Sequence, residues 1–164
     1  MTGRRVAYLA LGSNLGDRTA HLQRAINGLG RHSDVDVVAS SKVYETDPIG
    51  PDQPDFLNAV LEVQTSLDAL SLLRACQEQE DLAGRVRAER WGPRTLDVDV
   101  LYLGDERIDT PELVIPHPRI EERGFVLAPL RDVAPHLVQN RGNWPGVRPT
   151  DISLVVGAKV GPTR

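Results

Sequence analysis

From Thr95 to Val100 the chain alternates without a break, and few arrangements satisfy that pattern. Leu96, Val98 and Val100 point one way; Thr95, Asp97 and Asp99 point the other. Period two with β-branched residues predicts a strand with one face in a core. Residues i and i+2 of a strand share a face, with Cα atoms about 6.5–7 Å apart. Two carboxylates therefore stand side by side, away from the apolar face. The preceding stretch, 84–94, holds four arginines (Arg85, Arg87, Arg90 and Arg94) against Glu89 alone, and is interrupted by Gly92 and Pro93.

Neighbouring carboxylates repel unless something cationic lies between them. Hard divalent cations take oxygen ligands, and Mg²⁺ commonly uses one or two carboxylates, several waters and substrate phosphates. A guanidinium fork suits phosphate oxygens in the same way. Carboxylates for a metal, arginines for phosphate and a Gly-Pro loop together match the parts used in phosphoryl transfer. The alternative is an Arg–Asp surface network on a strand and the loop before it.

The chain has 164 residues, 40% hydrophobic and 26% charged, which predicts one soluble domain over residues 1–164. Net charge is −4, yet 84–94 carries +3 and the remainder −7. That balance argues against a broad nucleic-acid surface and for a local anion site. The single cysteine, Cys76, can form neither an internal disulfide nor a cysteine-rich zinc site. No apolar run is long enough to span a bilayer and the N-terminus lacks a signal-peptide core, so the expected setting is the cytoplasm, with no membrane partner.

Residues 5–11 form a short apolar run closed by Gly12-Ser13-Asn14, a first strand. Ala20, Leu22, Ala25, Ile26 and Leu29 recur at helical spacing, with Asp17 or Thr19 as cap. Residues 35–44 are β-branched and serine-rich, a second strand. The proline-rich loop 45–55 separates it from a third strand, 56–65, expected to pair with the second. Leu70, Leu72, Leu73, Cys76 and Leu82 predict a helix over 67–82. The Asp97–Asp99 strand runs on to Leu103, Gly104-Asp105 marks a turn, and 107–108 fits a short return strand. A proline-bounded loop, 111–118, and a short helix, 125–133, follow; the tail is rich in Asn, Gly and Pro, with one apolar run at 152–156.

The order β-α-β-β-α-β predicts an α+β fold: a ferredoxin-like antiparallel sheet with two helices on one face, plus C-terminal additions. Such a scaffold hosts many functions. RNA-binding modules share it but need aromatics on the central strands. The first strand has only Tyr8, so nucleic acid is not the expected partner. A metal-dependent phosphohydrolase using the same carboxylates is a further alternative.

The chain resembles the 6-hydroxymethyl-7,8-dihydropterin pyrophosphokinases of folate biosynthesis over about its first 135 residues. The resemblance is carried by Ala10-Leu11-Gly12-Ser13-Asn14-Leu15-Gly16-Asp17, by Tyr44-Glu45-Thr46-Asp47-Pro48-Ile49-Gly50-Pro51 and by Gln53-Pro54-Asp55-Phe56-Leu57-Asn58-Ala59. Residues 84–100, Ile115-Pro116-His117-Pro118-Arg119 and Arg123-Gly124-Phe125-Val126-Leu127 complete it. It implies transfer of the β,γ-pyrophosphate of ATP to the pterin hydroxymethyl group, with release of AMP and two Mg²⁺ ions assisting.

By the same resemblance, Asp97 and Asp99 hold the metals while Arg85 and Arg94 neutralise phosphate charge. Glu80, Arg87, Trp91, Val100, His117 and Arg123 are implied on the ATP side. Phe56 and Phe125 are implied to sandwich the pterin, with Gly12, Asn14, Thr46, Ile49 and Asn58 around it. Read without the family, a lone Phe is core packing, Glu80 lies on a solvated helix face, and Asn14 fixes its own turn. The chain departs from relatives at Pro118, where many carry Tyr, and at Glu112, where some carry a basic residue. The expected partners are the two small-molecule substrates, and the expected state is a monomer with loops 45–55 and 85–94 mobile when free.

Overall fold

The computed structural model describes residues 3–48, 52–84, 94–139 and 142–157. Strand β1 (Arg5–Ser13) lies inside the sheet because both of its faces are apolar: Ala7, Leu9 and Leu11 bury one way and Tyr8 the other. After it comes helix α1 (Arg18–Arg31), whose first turn is capped by Asp17, its carboxylate accepting from the Ala20 N–H at 3.1 Å. Strands β2 (Val35–Ser40), β3 (Tyr44–Thr46) and β4 (Phe56–Thr65) come next, then helix α2 (Ala69–Leu82) and strand β5 (Asp97–Leu103).

All the pairings are antiparallel, and the sheet runs β5-β1-β4-β3, with β2 also on β4. The single strand expected over 35–44 is therefore two. The chain bends at Ser41, whose hydroxyl accepts the Val60 N–H at 2.9 Å while its own N–H donates to Val60 O. Those bonds keep the Val60 N–H and C=O of β4 paired through the break.

Strands β6 (Ile108–Asp109) and β7 (Val114–Ile115) form a small separate ribbon, so the expected return strand pairs with part of the proline-bounded loop. Helix α3 (Gly124–Val133) follows a 3-10 turn at Ile120–Glu122. The tail supplies one more strand, β8 (Val147–Pro149), on the outer side of β3. Its apolar run at 152–156 forms no strand; Ile152, Leu154 and Val156 rest against the core instead.

The sheet separates two cores. Leu22, Leu29, Leu72 and Cys76 of α1 and α2 pack against Leu9, Leu11, Leu61, Val98 and Val100. On the opposite face Val126, Leu127 and Leu130 of α3 pack against Tyr8, Val60 and Leu101. The two-helix face is as the sequence predicts. The α3 face is the addition, and it covers only part of the sheet.

Candidate active site

Strand periodicity places the polar residues on the α3 side. Asp97 and Asp99 share a face with Leu101, Ala10 and Gly12 with Tyr8, and Phe56 and Asn58 with Val60, whose partners are all in the α3 core. The register lines them up, with Asp97 opposite Gly12 and Gly12 opposite Asn58. Asp99 sits opposite Ala10, and Phe56 opposite Thr46. The end of the sheet that α3 leaves open thus carries two half-buried carboxylates at one edge and an amide and an aromatic ring further in.

Asn58 and Thr46 are both buried, and the Asn58 amide donates to the Thr46 hydroxyl at 2.6 Å. A Cβ added at Gly12 would lie 2.7 Å from Asn58 Oδ1 and 3.6 Å from Phe56 Cδ2. Only glycine leaves the amide and the ring edge in place over β1. Phe125 stands at the first turn of α3, on the same face of the sheet, with the Arg123 guanidinium 5.5 Å from its ring centroid.

Arg123 faces the carboxylates. Burial lowers its pKa, while Asp99 and, more weakly, Asp97 pull it back up. Arg94 is nearly buried, with Nε 3.9 Å from Asp97 Oδ1. His117 is tied to the end of β5 through its N–H to Leu101 O at 3.0 Å. Its Nδ1 accepts the Arg119 N–H at 3.2 Å, which leaves the proton of the neutral ring on Nε2 as a donor. Burial first, then Arg123 and Arg119, lower the His117 pKa and favour that neutral ring.

Two residues of the set implied on the ATP side are buried in the structure. Glu80 is 4% exposed, not on a solvated helix face, and its Oε2 accepts the Val98 N–H at 2.9 Å. Since β5 is an edge strand, this carboxylate supplies an acceptor that no further strand provides. The Val100 side chain is buried in the α1–α2 core, on the far face from the carboxylates.

Asn14 does more than close its own turn. Its Oδ1 accepts the Arg94 N–H at 2.7 Å, and its own N–H donates to Arg94 O at 2.9 Å. Its Nδ2 donates to Gln53 Oε1 at 2.7 Å and to Pro54 O at 2.9 Å. One buried amide thus joins the arginine preceding β5 to the loop preceding β4. Sequence reasoning missed Gln53, and nothing local to it signals the contact. Arg85, Arg87, Trp91 and Ile49 lie outside the described residues.

Asp97 and Asp99 offer an all-oxygen donor pair, the chemistry a hard divalent cation takes. Among the described residues no cluster of three or more His, Cys, Asp or Glu forms a ligand cage. A pair of carboxylates fits an ion that draws its remaining ligands from water and phosphate. Among those residues also, no helix is long and apolar enough to cross a membrane.

Residues 8–135 match the family model described as 7,8-dihydro-6-hydroxymethylpterin-pyrophosphokinase. The chain is 50% identical over 129 residues to the 2-amino-4-hydroxy-6-hydroxymethyldihydropteridine pyrophosphokinase of Bacillus subtilis, covering 78% of this chain and 77% of that one. Identity to the protein of the same name from Pseudomonas aeruginosa is 47%, over 79% and 81% of the two chains. Among solved structures, the fold is similar to HPPK-DHPS in complex with substrates, with a TM-score of 0.62 at 15% identity. That similarity covers 80% of this chain and 40% of the other, so this chain spans less than half the length of that structural relative.

Proposed function

The chain belongs to the 7,8-dihydro-6-hydroxymethylpterin-pyrophosphokinase family, and we propose how its residues carry out the transfer of pyrophosphate from ATP to the hydroxymethyl group of 6-hydroxymethyl-7,8-dihydropterin. ATP is the co-substrate. The oxygen of the hydroxymethyl group attacks the β-phosphorus, the bond from that phosphorus to the oxygen bridging to the α-phosphorus breaks, and AMP leaves. The observation that carries the reading is the alignment of Asp97, Gly12 and Asn58 across three neighbouring strands on the face that α3 leaves open.

Asp97 and Asp99 would hold two Mg²⁺ ions, which would supply charge neutralisation on the phosphate oxygens and a lowered pKa for the attacking hydroxyl. An Asp97 oxygen accepts the hydroxyl proton. Arg94, kept beside Asp97 by Asn14, and Arg123 neutralise charge that develops on the phosphates. The His117 Nε2–H donates to a phosphate oxygen as a neutral hydrogen-bond donor. Arg85, Arg87 and Trp91 act from the arginine loop, with Arg85 on the phosphates. On the nucleotide side, Val100 acts through its backbone at the edge of β5, where Glu80 fixes the backbone between the two aspartates.

The pterin lies between Phe56 and Phe125, each ring contributing about 0.5–1.5 kcal/mol beyond area burial. Asn58, held by Thr46, reads its polar edge together with Gly12, Asn14 and backbone groups near Thr46 and Ile49. Water must be kept out, because it competes with the hydroxymethyl group for the phosphorus.

Product analysis tests this reading. AMP should form only when ATP, Mg²⁺ and the hydroxymethyl pterin are all present. Release of inorganic phosphate without the pterin would instead identify a hydrolase.

A further inference from the structure

We propose that the C-terminal tail is part of the pterin site's machinery, with Arg148 as a positioning residue that locks the neck of the 47–55 loop. The inference rests on the reading above that Thr46, Phe56 and Asn58 receive the pterin. Arg148 lies beyond residues 8–135, the stretch matched to the family.

The loop leaves β3 after Thr46 and returns at Phe56, and those two residues are paired across the sheet. Its neck is therefore flanked by Asp47 on one side and Asp55 on the other. Arg148 spans both, with Nη1 donating to Asp47 Oδ1 at 3.0 Å and Nη2 to Asp55 Oδ2 at 2.9 Å. A guanidinium can do this because its two terminal nitrogens are held in a fixed fork; an ammonium reaches one carboxylate at a time.

The backbone places the fork. β8 lies antiparallel to β3, with Val147 opposite Thr46 and Arg148 opposite Glu45. The Asp47 N–H donates to Gly146 O at 2.9 Å, so the tail takes up the first backbone donor of the loop. Further back, Trp144 packs on the α3 core with Arg131 over its ring at 4.8 Å, which anchors the tail to the helix that carries Phe125. From the other side Arg18 donates to Glu45 Oε2 and to Asp55 O, both at 2.9 Å. The hydrogen bond to Asp47, with Asp55 and Glu45 nearby, raises the Arg148 pKa, so the fork stays charged across the whole working range.

Loop positioning by an exposed ion pair has a particular signature. The pterin carries no net charge, so charge screening should affect its binding only through contacts made within the protein, while the effect of salt on ring stacking is common to wild type and variant. Pterin affinity is measured by calorimetric titration of the full-length wild type, Arg148→Ala, Arg148→Lys and Asn58→Ala, in dilute salt and in 1 M NaCl, with turnover measured alongside. In dilute salt Arg148→Ala should bind pterin about 3–10-fold more weakly, with kcat and the KM for ATP unchanged. In 1 M salt, where screening acts within about 3 Å, wild type and variant should converge. Arg148→Lys should recover only part of the loss. A pterin affinity for Arg148→Ala equal to wild type in dilute salt, with Asn58→Ala failing to bind, would overturn the lock and leave the site intact. Wild-type pterin binding by Asn58→Ala would instead overturn the reading of the site, and the lock with it.

Discussion

Residues at this site are held by partners remote in sequence, and that determines what single substitutions should do. His117 is half-buried, and that burial, with Arg123 and Arg119 adding to it, keeps its pKa below the ordinary 6.5. As pH falls, the unfolded chain takes up this proton first. The histidine's share of stability is therefore complete above about pH 6.5 and is lost between there and the lower folded value. Urea unfolding at pH 7.5, 6 and 5 should show a steeper loss for wild type than for His117→Gln; equal slopes would remove the histidine as the cause. Gly12→Ala places a methyl group 2.7 Å from Asn58 Oδ1 and forces the amide off Thr46. It should cost about 1–3 kcal/mol of stability and weaken pterin binding at least tenfold, leaving ATP binding near wild type, as paired titrations would show. Asp97 and Asp99 were legible from alternation alone, because a strand's period of two is local. The amide partners of Asn14 were not, since Gln53 and Arg94 are 39 and 80 positions away.

Elements were legible to the extent that their signals are local. The alternating stretch 56–65 folds as β4 over the expected residues, and the helix expected over 67–82 forms from Ala69. The side of the sheet each helix takes is a matter of connection and packing. The sequence predicts a helix near 125–133, and the structure places it opposite α1 and α2, which turns a two-layer expectation into three layers. The tail carries no periodic pattern, and β8 exists because the outer edge of β3 offers backbone groups to pair with. Its docking depends on a close approach: a Cβ at Gly124 would come within 2.6 Å of Trp144 Cβ. Gly124→Ala should therefore push the tail from α3 and lower stability by about 1–3 kcal/mol. Thermal unfolding would show the loss, together with increased Trp144 exposure. An unchanged melting temperature would mean the tail contributes nothing to the α3 core.

At the scale of the whole molecule, Asn14 connects the phosphate side of the site to the pterin side, since Arg94 and the Gln53–Pro54 stretch share its amide. A ligand that fixes one side should then favour the other. A non-hydrolysable MgATP analogue should tighten pterin binding by about 1–3 kcal/mol, with the reciprocal gain for the analogue. Asn14→Ala should reduce that coupling, and identical pterin affinities with and without the analogue would mean the two sides act independently. The central claim is that Asp97 and Asp99 direct pyrophosphoryl transfer from the face left open by α3. It is tested most directly by following ATP labelled in its β-phosphate, with wild type and with Asp97→Asn and Asp99→Asn. Wild type should deliver the label to the pterin. Each variant should still bind the pterin but transfer about a thousandfold more slowly, a loss of about 4 kcal/mol of transition-state stabilisation. Label retained on ADP in the wild-type reaction, or near-normal transfer by either variant at saturating Mg²⁺, would contradict it.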